Sequence, residues 1–198
     1  MQDYIDIANK NGVILLNRGS CQFCGAETKR GIHECIEIFS LGFQLIDYSK
    51  PENHIYRFLS VDAHTLQHPE IHGRWNNHFH LTRQHLMFHY QIQWNYSFSP
   101  KLSNYLNLYK AGKSEEYLVP PKIFARGNIT VTDLINKAAN ESDCQEMIKR
   151  WGMEVYNSWS RHHETVDGIA DEFIKILPSL SQKAAIPRQG ETDKKQII

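Results

Sequence analysis

Three cysteines and one histidine near the N-terminus have the types and spacing of metal ligands. Cys21-Gln-Phe-Cys24-Gly25 is a zinc-knuckle pattern, in which the two-residue gap lets both thiolates reach one ion and the glycine allows a tight turn. His33 and Cys35 follow, two positions apart. In an extended backbone such residues point to the same side, so both could complete a tetrahedron. The pattern predicts a structural Cys₃His zinc site made by Cys21, Cys24, His33 and Cys35.

Two alternatives stay open for this element. In one, the three cysteines bind zinc and a distant histidine, such as His68, is the fourth ligand. In the other, Cys21 and Cys24 form a redox Cys-x-x-Cys pair. Such pairs usually stand at a helix start after a strand, and the third cysteine and the histidine would have no role. The fourth cysteine of the chain, Cys144, lies far away and is interpreted as an ordinary thiol.

A second concentration of ligand types lies between residues 60 and 89, which hold seven histidines. His64 and His68 are four residues apart, and so are His85 and His89. Each pair therefore shares one face if its segment is helical. Helical bundles build metal sites from inward side chains on facing helices, so this stretch is the second candidate for chemistry.

We predict a second divalent metal within the bundle, held by His68, His85 and His163 from three helices. Three neutral imidazoles with an open coordination position suit zinc, iron or nickel, and a bound water would become a nucleophile near neutral pH. Asp62 would orient a ligand or act as general base, and Gln67 would orient the substrate. The opposing interpretation is that these histidines belong to the core, hydrogen-bonded to Asp62 or Gln67.

Apolar spacing of three and four residues predicts that helices position these side chains. The predicted helices cover residues 34–48, 55–68 (ended by Pro69), 77–96 and 143–177. A short helix is predicted after Thr130 or Thr132, either of which can be its N-cap. Residues 97–129 are predicted to be an irregular connection. The fold class is therefore mainly α, a helical bundle with an N-terminal zinc-knuckle element.

The chain is expected to form one domain. With 198 residues, 41% of them hydrophobic, it can bury a core without disulfides. Residues 1–20 are interpreted as a polar N-terminal lead, residues 21–178 as a single helical domain with the knuckle at 21–35, and residues 179–198 as a disordered tail.

Charge and hydropathy exclude several function classes. The formal net charge is zero and the pI is about 7.2, so no basic face is indicated and nucleic acid is an unlikely partner. No apolar run reaches the roughly 18 residues of a membrane span, so no membrane partner is expected. The N-terminal MQDYIDIANK lacks the apolar segment of a signal peptide, which favours a cytoplasmic protein with reduced cysteines.

Four stretches of the sequence also carry a resemblance. They are CQFCGA with HEC, the segment VDAHTLQHP, the pair His85-Leu86, and the tryptophan helix WGMEVYNSWSRHHETV. VDAHTLQHP is the most specific, because neither metal chemistry nor helix propensity alone demands it. Together they resemble a family of uncharacterised bacterial proteins, domain of unknown function 5946 (DUF5946), from Cys21 to about Phe173. The resemblance implies no established activity.

Two function hypotheses of different classes follow. The first is a metal-dependent enzyme, a hydrolase or transferase, that acts on a small-molecule substrate through the histidine site. The second is a non-catalytic binding or structural protein that zinc stabilises. The number of bound metal ions separates them: two per chain favour the first hypothesis, and one favours the second.

Overall fold

The computed structural model describes residues 3–109 and 117–177, and in these ranges the chain forms helices and no strand. The helices are α1 (Asp3–Lys10), α2 (Ile32–Leu41), α3 (His54–Gln67), α4 (Arg74–Phe88), α5 (Phe98–Tyr109), α6 (Val131–Lys137), α7 (Glu141–Ser158) and α8 (His163–Lys175). Short 3₁₀ turns cover Pro51–Asn53, Pro69–Ile71 and Ser160–His162. The predicted mainly α fold class is confirmed.

Helix α3 lies at the centre of the packing. It contacts both α7 and α4, and α4 in turn contacts α5 and α8. Leu59, Ala63 and Leu66 recur at helical spacing and are buried along the face of α3 that these neighbours cover. At Gly152 of α7 a Cβ atom would lie only 3.2 Å from Phe88 Cζ, so the glycine lets these helices approach closely.

The ends of α3 and α4 follow from local sequence. Pro69 comes one residue after His68 closes α3, as predicted from the sequence. Helix α4 ends at Phe88, earlier than predicted, because the chain turns there with Gln91 at a φ of 53°. The amide of Ile92 donates to the carbonyl of Leu86 across this turn, at 2.9 Å.

Helices α6 and α7 begin at polar caps. Thr130, one of the two predicted candidates, is the N-cap of α6 and forms a capping box with Asp133. The side chain of Asn140 accepts a hydrogen bond from the amide of Asp143 at the start of α7.

Two predictions about helix content were wrong. Part of the expected irregular connection is helix α5, whose Phe98, Leu102 and Leu106 repeat every four residues and are buried against the bundle. The single long helix predicted for residues 143–177 is two helices, α7 and α8, separated by the turn Ser160–His162. Trp159 is fully buried at this break, where its Nε1 donates to the Leu66 carbonyl at 3.3 Å.

The N-terminal lead contains a helix of its own, α1, which packs against the turn Pro69–Ile71. Ala8 is fully buried in this contact region. The predicted disordered tail, residues 179–198, lies outside the described residues. Within the described ranges, no helix is both long enough and apolar enough to cross a bilayer.

Candidate metal centre

Four buried side chains bring their ligand atoms together between the N-terminal loop, α2 and the end of α3. The four residues are Cys21, Cys24, Cys35 and His68, and their ligand atoms all lie within 4.8 Å of one another. The Nε2 atom of His68 is 3.4 Å from Cys21 Sγ and 3.6 Å from Cys35 Sγ. The Sγ atoms of Cys24 and Cys35 are 3.8 Å apart. We call these four residues the Cys₃His cluster, and it could hold a metal ion.

A tight turn positions the first two thiols. The amide of Gly25 donates to the carbonyl of Cys21 at 2.9 Å, and Gly25 takes a φ of 79°, which glycine adopts without steric cost. The amide of Cys21 donates in turn to Ala26. These bonds place Cys21 and Cys24 on the same side of the loop, as the knuckle pattern predicts.

The imidazole of His68 is oriented by the backbone of its own helix. Its Nδ1 lies 2.5 Å from the carbonyl oxygen of His64. A carbonyl can only accept, so Nδ1 carries a proton and Nε2 faces the thiols. A backbone hydrogen bond on the outer nitrogen is the usual way in which proteins orient a ligand histidine.

The thiols and the imidazole of the cluster shift one another's pKa values. Hydrogen bonds from the Cys24 and Cys35 thiols lower the pKa of Cys21, against the effect of burial. Burial would lower the pKa of His68, but the neighbouring Cys24 and Cys21 raise it to about 10. Without a metal, the cluster therefore favours a thiolate beside an imidazolium, and a cation bound there would replace the proton.

His33 does not join the cluster. It lies in the first turn of α2, where residues two positions apart point to different sides, whereas the prediction assumed an extended backbone. Its Nδ1 is 2.7 Å from the hydroxyl of Tyr4, which links α2 to α1. His68 occupies the fourth corner instead, as in the alternative left open by the sequence.

His64 lies next to the cluster without belonging to it. Its Nε2 is 3.9 Å from Cys35 Sγ, and its ring stacks on Phe39 with centroids 4.0 Å apart. Burial and the nearby His68 hold the pKa of His64 well below its ordinary value. The neutral imidazole of His64 therefore packs against Cys35 and the ring of His68, with ring centroids 4.2 Å apart.

Asp62, the predicted general base, is fully buried in an ion pair with Arg83. Both carboxylate oxygens accept from Arg83 Nε at 3.0 Å, and one accepts from His80 Nδ1 at 2.6 Å. The pair joins α3 to α4. These contacts occupy the carboxylate, and Asp62 is not among the residues of the Cys₃His cluster.

Gln67, predicted to orient a substrate, is also buried and bonded on both sides of its amide. Its Nε2 donates to the carbonyls of Arg126 and Ile129, at 3.2 and 3.0 Å. Its Oε1 accepts from Trp151 Nε1 at 3.0 Å. In the structure, Gln67 therefore fastens the loop before α6 to α3 and α7.

A second group of ligand types lies at the rim where α4 ends beside α8. It consists of His85, His89 and Asp167, whose ligand atoms all lie within 4.8 Å of one another. We call it the rim cluster. Burial lowers the pKa of His85 to about 4, although the nearby Asp167 opposes this shift. The buried imidazole is therefore neutral near pH 7.

The structure does not bring His68, His85 and His163 to one point. His68 faces the cysteines, whereas the Nδ1 of His85 is 2.8 Å from the hydroxyl of Tyr156. The rings of His85 and His163 are neighbours, with centroids 5.6 Å apart, but Nε2 of His163 donates to the carbonyl of Tyr156.

The sequence prediction missed Asp167 as a partner of His85. Asp167 Oδ1 is 3.0 Å from His85 Nε2, and it also accepts from the hydroxyl of Tyr90 at 2.7 Å. One signal was present: Asp167 stands four residues after His163, on the same face of a helix that was expected to carry a ligand.

The fold and the Cys₃His cluster define a class of protein: mainly helical, with a buried cluster of cysteines and a histidine that could hold a metal ion. The model of one family, described as Family of unknown function (DUF5946), matches residues 19–160. The chain belongs to this family, which confirms the resemblance. A search of curated proteins and a search of solved structures found no match.

Proposed function

We propose that the protein is a zinc metalloprotein in which the Cys₃His cluster holds a structural ion. The observation that carries this proposal is the spacing of the ligand atoms. Zinc bonds of about 2.3 Å to sulfur and about 2.0–2.1 Å to nitrogen imply tetrahedral edges of about 3.6–3.8 Å. The three distances between ligand atoms given above, 3.4, 3.6 and 3.8 Å, are close to these edges.

A structural role is favoured because the site is closed. All four residues are at most 8% exposed, and four protein ligands leave zinc no open position for a substrate. In this proposal the ion fastens the N-terminal loop and α2 to the end of α3. The function supported best is thus that of a zinc-stabilised binding or structural protein. Because zinc ligation needs thiolates, we also propose a reducing compartment, the cytoplasm.

Metal content tests this proposal with a matched control. Cys35→Ser should abolish zinc binding by the full chain, whereas Cys144→Ser, which removes an equally buried thiol outside the cluster, should retain it. His68→Gln should also lose zinc, and His33→Ala should keep it. Full zinc content in His68→Gln would refute the proposed ligand set.

A metal-dependent hydrolase or transferase is the second candidate function. It needs a metal with an open position, which a four-ligand cluster does not offer. One observation favours it, namely that the rim cluster is a separate group of ligand types at a partly exposed edge. Since the contacts of Asp62 and Gln67 are internal, we propose that both residues stabilise the core in either case.

A further inference from the structure

We propose that the rim cluster is a second metal site, which binds a divalent first-row transition ion through His85, His89 and Asp167. The proposal does not depend on the Cys₃His cluster holding zinc. Its starting point is convergence: His85 Nε2 is 3.0 Å and His89 Nε2 is 3.9 Å from the same oxygen, Oδ1 of Asp167. Three ligands with bonds of about 2.0–2.2 Å around one ion have separations of this order.

The helix geometry explains the convergence. His85 and His89 stand four residues apart at the end of α4, so their rings lie one above the other, with centroids 4.7 Å apart. Two histidines at this spacing on a helix are a recurring way to bind zinc. Asp167 comes from α8, which packs against α4, so an ion would connect two helices.

The residues around the ligands suit metal binding. The hydroxyl of Tyr156 is 2.8 Å from Nδ1 of His85 and can accept its proton, which leaves Nε2 for the ion. The hydroxyl of Tyr90 lies within hydrogen-bond distance of both Asp167 and Asp171, so it bridges the two carboxylates and holds Asp167 beside the imidazoles. Ligand histidines and carboxylates usually have such partners on their outer atoms.

The ligand set also limits the class of ion. Two imidazoles and one carboxylate suit Zn²⁺ and Fe²⁺ better than the oxygen-loving Ca²⁺ and Mg²⁺. Among the described residues three protein ligands converge at the rim, and the side chains of His89 and Asp167 are 43% and 30% exposed. Water or a ligand from solution can therefore complete the coordination, unlike in the Cys₃His cluster.

The competing explanation is a hydrogen-bonded network without metal. In that arrangement Nε2–H of His85 donates to Asp167 and the hydroxyl of Tyr156 donates to Nδ1, so that the buried atoms are satisfied. His89 has no necessary place in this network, because its nitrogen is 3.9 Å from the carboxylate. The role of His89 therefore separates the two explanations.

Cobalt titration of the full chain, purified without a histidine tag, tests the proposal. Co²⁺ bound to the Cys₃His cluster would show strong thiolate-to-cobalt absorption, whereas Co²⁺ at the rim would add only weak bands. We expect one equivalent of the weak kind in the unmodified protein. His89→Ala and Asp167→Asn should each abolish it and leave the thiolate absorption unchanged. His54→Ala, which removes an imidazole that contacts Tyr48 and Tyr96 instead, should retain it.

A second readout tests the role of Tyr156. Tyr156→Phe keeps the ring that stacks on His163 and removes the hydroxyl next to His85. It should weaken Co²⁺ binding at the rim about 10–100-fold, the usual effect of removing a partner of a ligand histidine.

The proposal is overturned if the unmodified protein takes up no equivalent of weakly absorbing Co²⁺, or if His89→Ala retains that equivalent. Absence of thiolate absorption would count against the Cys₃His proposal alone.

Discussion

The Cys₃His cluster, on the N-terminal loop, α2 and the end of α3, and the rim cluster, on α4 and α8, differ in enclosure. The first is made by three thiols and one imidazole, all buried, and a neutral His64 packs against one side. The second has one buried imidazole, from His85, and two partly exposed ligands. Enclosure and thiol content suit an ion that stays with the fold, whereas partial exposure suits one that exchanges or meets a substrate.

The largest expected effect would come from removing one ligand of the Cys₃His cluster. Structural zinc contributes apparent binding free energies of about 10–16 kcal/mol, as much as the whole stability of a typical domain. Cys24→Ser should therefore give protein that is unfolded or insoluble, as judged by circular dichroism and thermal unfolding. Chelation of the unmodified protein should do the same. A folded, zinc-free Cys24→Ser variant would remove the contrast between the two clusters.

The next effect concerns the support that the two clusters share. Asp62 on α3 pairs with Arg83 on α4, between the helices that carry His68 and His85. Asp62→Ala would leave a buried guanidinium without its partner, which should cost about 3–5 kcal/mol of unfolding free energy. Chemical denaturation measures this loss. A stability change below about 1 kcal/mol would indicate that the pair contributes little to the core.

A smaller effect should separate the loop of the closed cluster from the rim. Gly31 precedes α2 with a φ of 57°, and a Cβ there would lie 2.3 Å from the carbonyl oxygen of Leu16. Gly42 has a φ of 71° but open space around it, so it is a matched control for backbone strain alone. Gly42→Ala should cost about 1–3 kcal/mol, and Gly31→Ala more.

Zinc affinity provides the second measurement for this pair. Gly31→Ala should weaken zinc binding at the Cys₃His cluster, because the clash displaces the start of the helix that carries Cys35. Metal binding at the rim should be unchanged in both variants. Equal stability of Gly31→Ala and Gly42→Ala would show that the loop yields to the added methyl group.

The smallest effect is a pH dependence that spares the ligands of both clusters. Burial lowers the pKa of His80, while Asp62 opposes this shift and Arg83 adds to it. Since the unfolded chain binds the proton more readily, the contribution of neutral His80 is full above about pH 6.5 and is lost as the pH falls below it. His80→Gln should flatten the fall in stability with acid. An unchanged slope would contradict this assignment.

Sequence periodicity was enough to predict the bounds of a helix where one helix face is buried and a helix-breaking residue follows. Helix α3 was predicted within one residue at each end, because its apolar spacing stops at His68 and Pro69. Periodicity could not detect the break at Trp159. The apolar stripe continues on both sides of a single 3₁₀ turn, so the pattern of a straight helix and that of two helices are nearly the same.

The candidate site was predictable in its ligand types but only partly in its members. Cys21 and Cys24 are close in sequence, so their spacing constrains their geometry directly. The sequence could not decide whether His33 or His68 is the fourth member of the cluster. That choice depends on residue 33 being helical and on the end of α3 packing against the loop that carries Cys21 and Cys24. The partnership of His85 with Asp167 depends on how α8 packs against α4, which no local pattern specifies.

The separation of the Cys₃His ligands along the chain has a consequence for the order of assembly. Cys21 and His68 are 47 positions apart, and Cys35 and His68 are 33 apart. In the proposed zinc site, the three thiols emerge during synthesis well before the imidazole that would complete the tetrahedron. A nascent chain would then hold zinc only loosely until α3 has formed and turned at Pro69. Full-strength zinc binding would report that the centre of the bundle has folded.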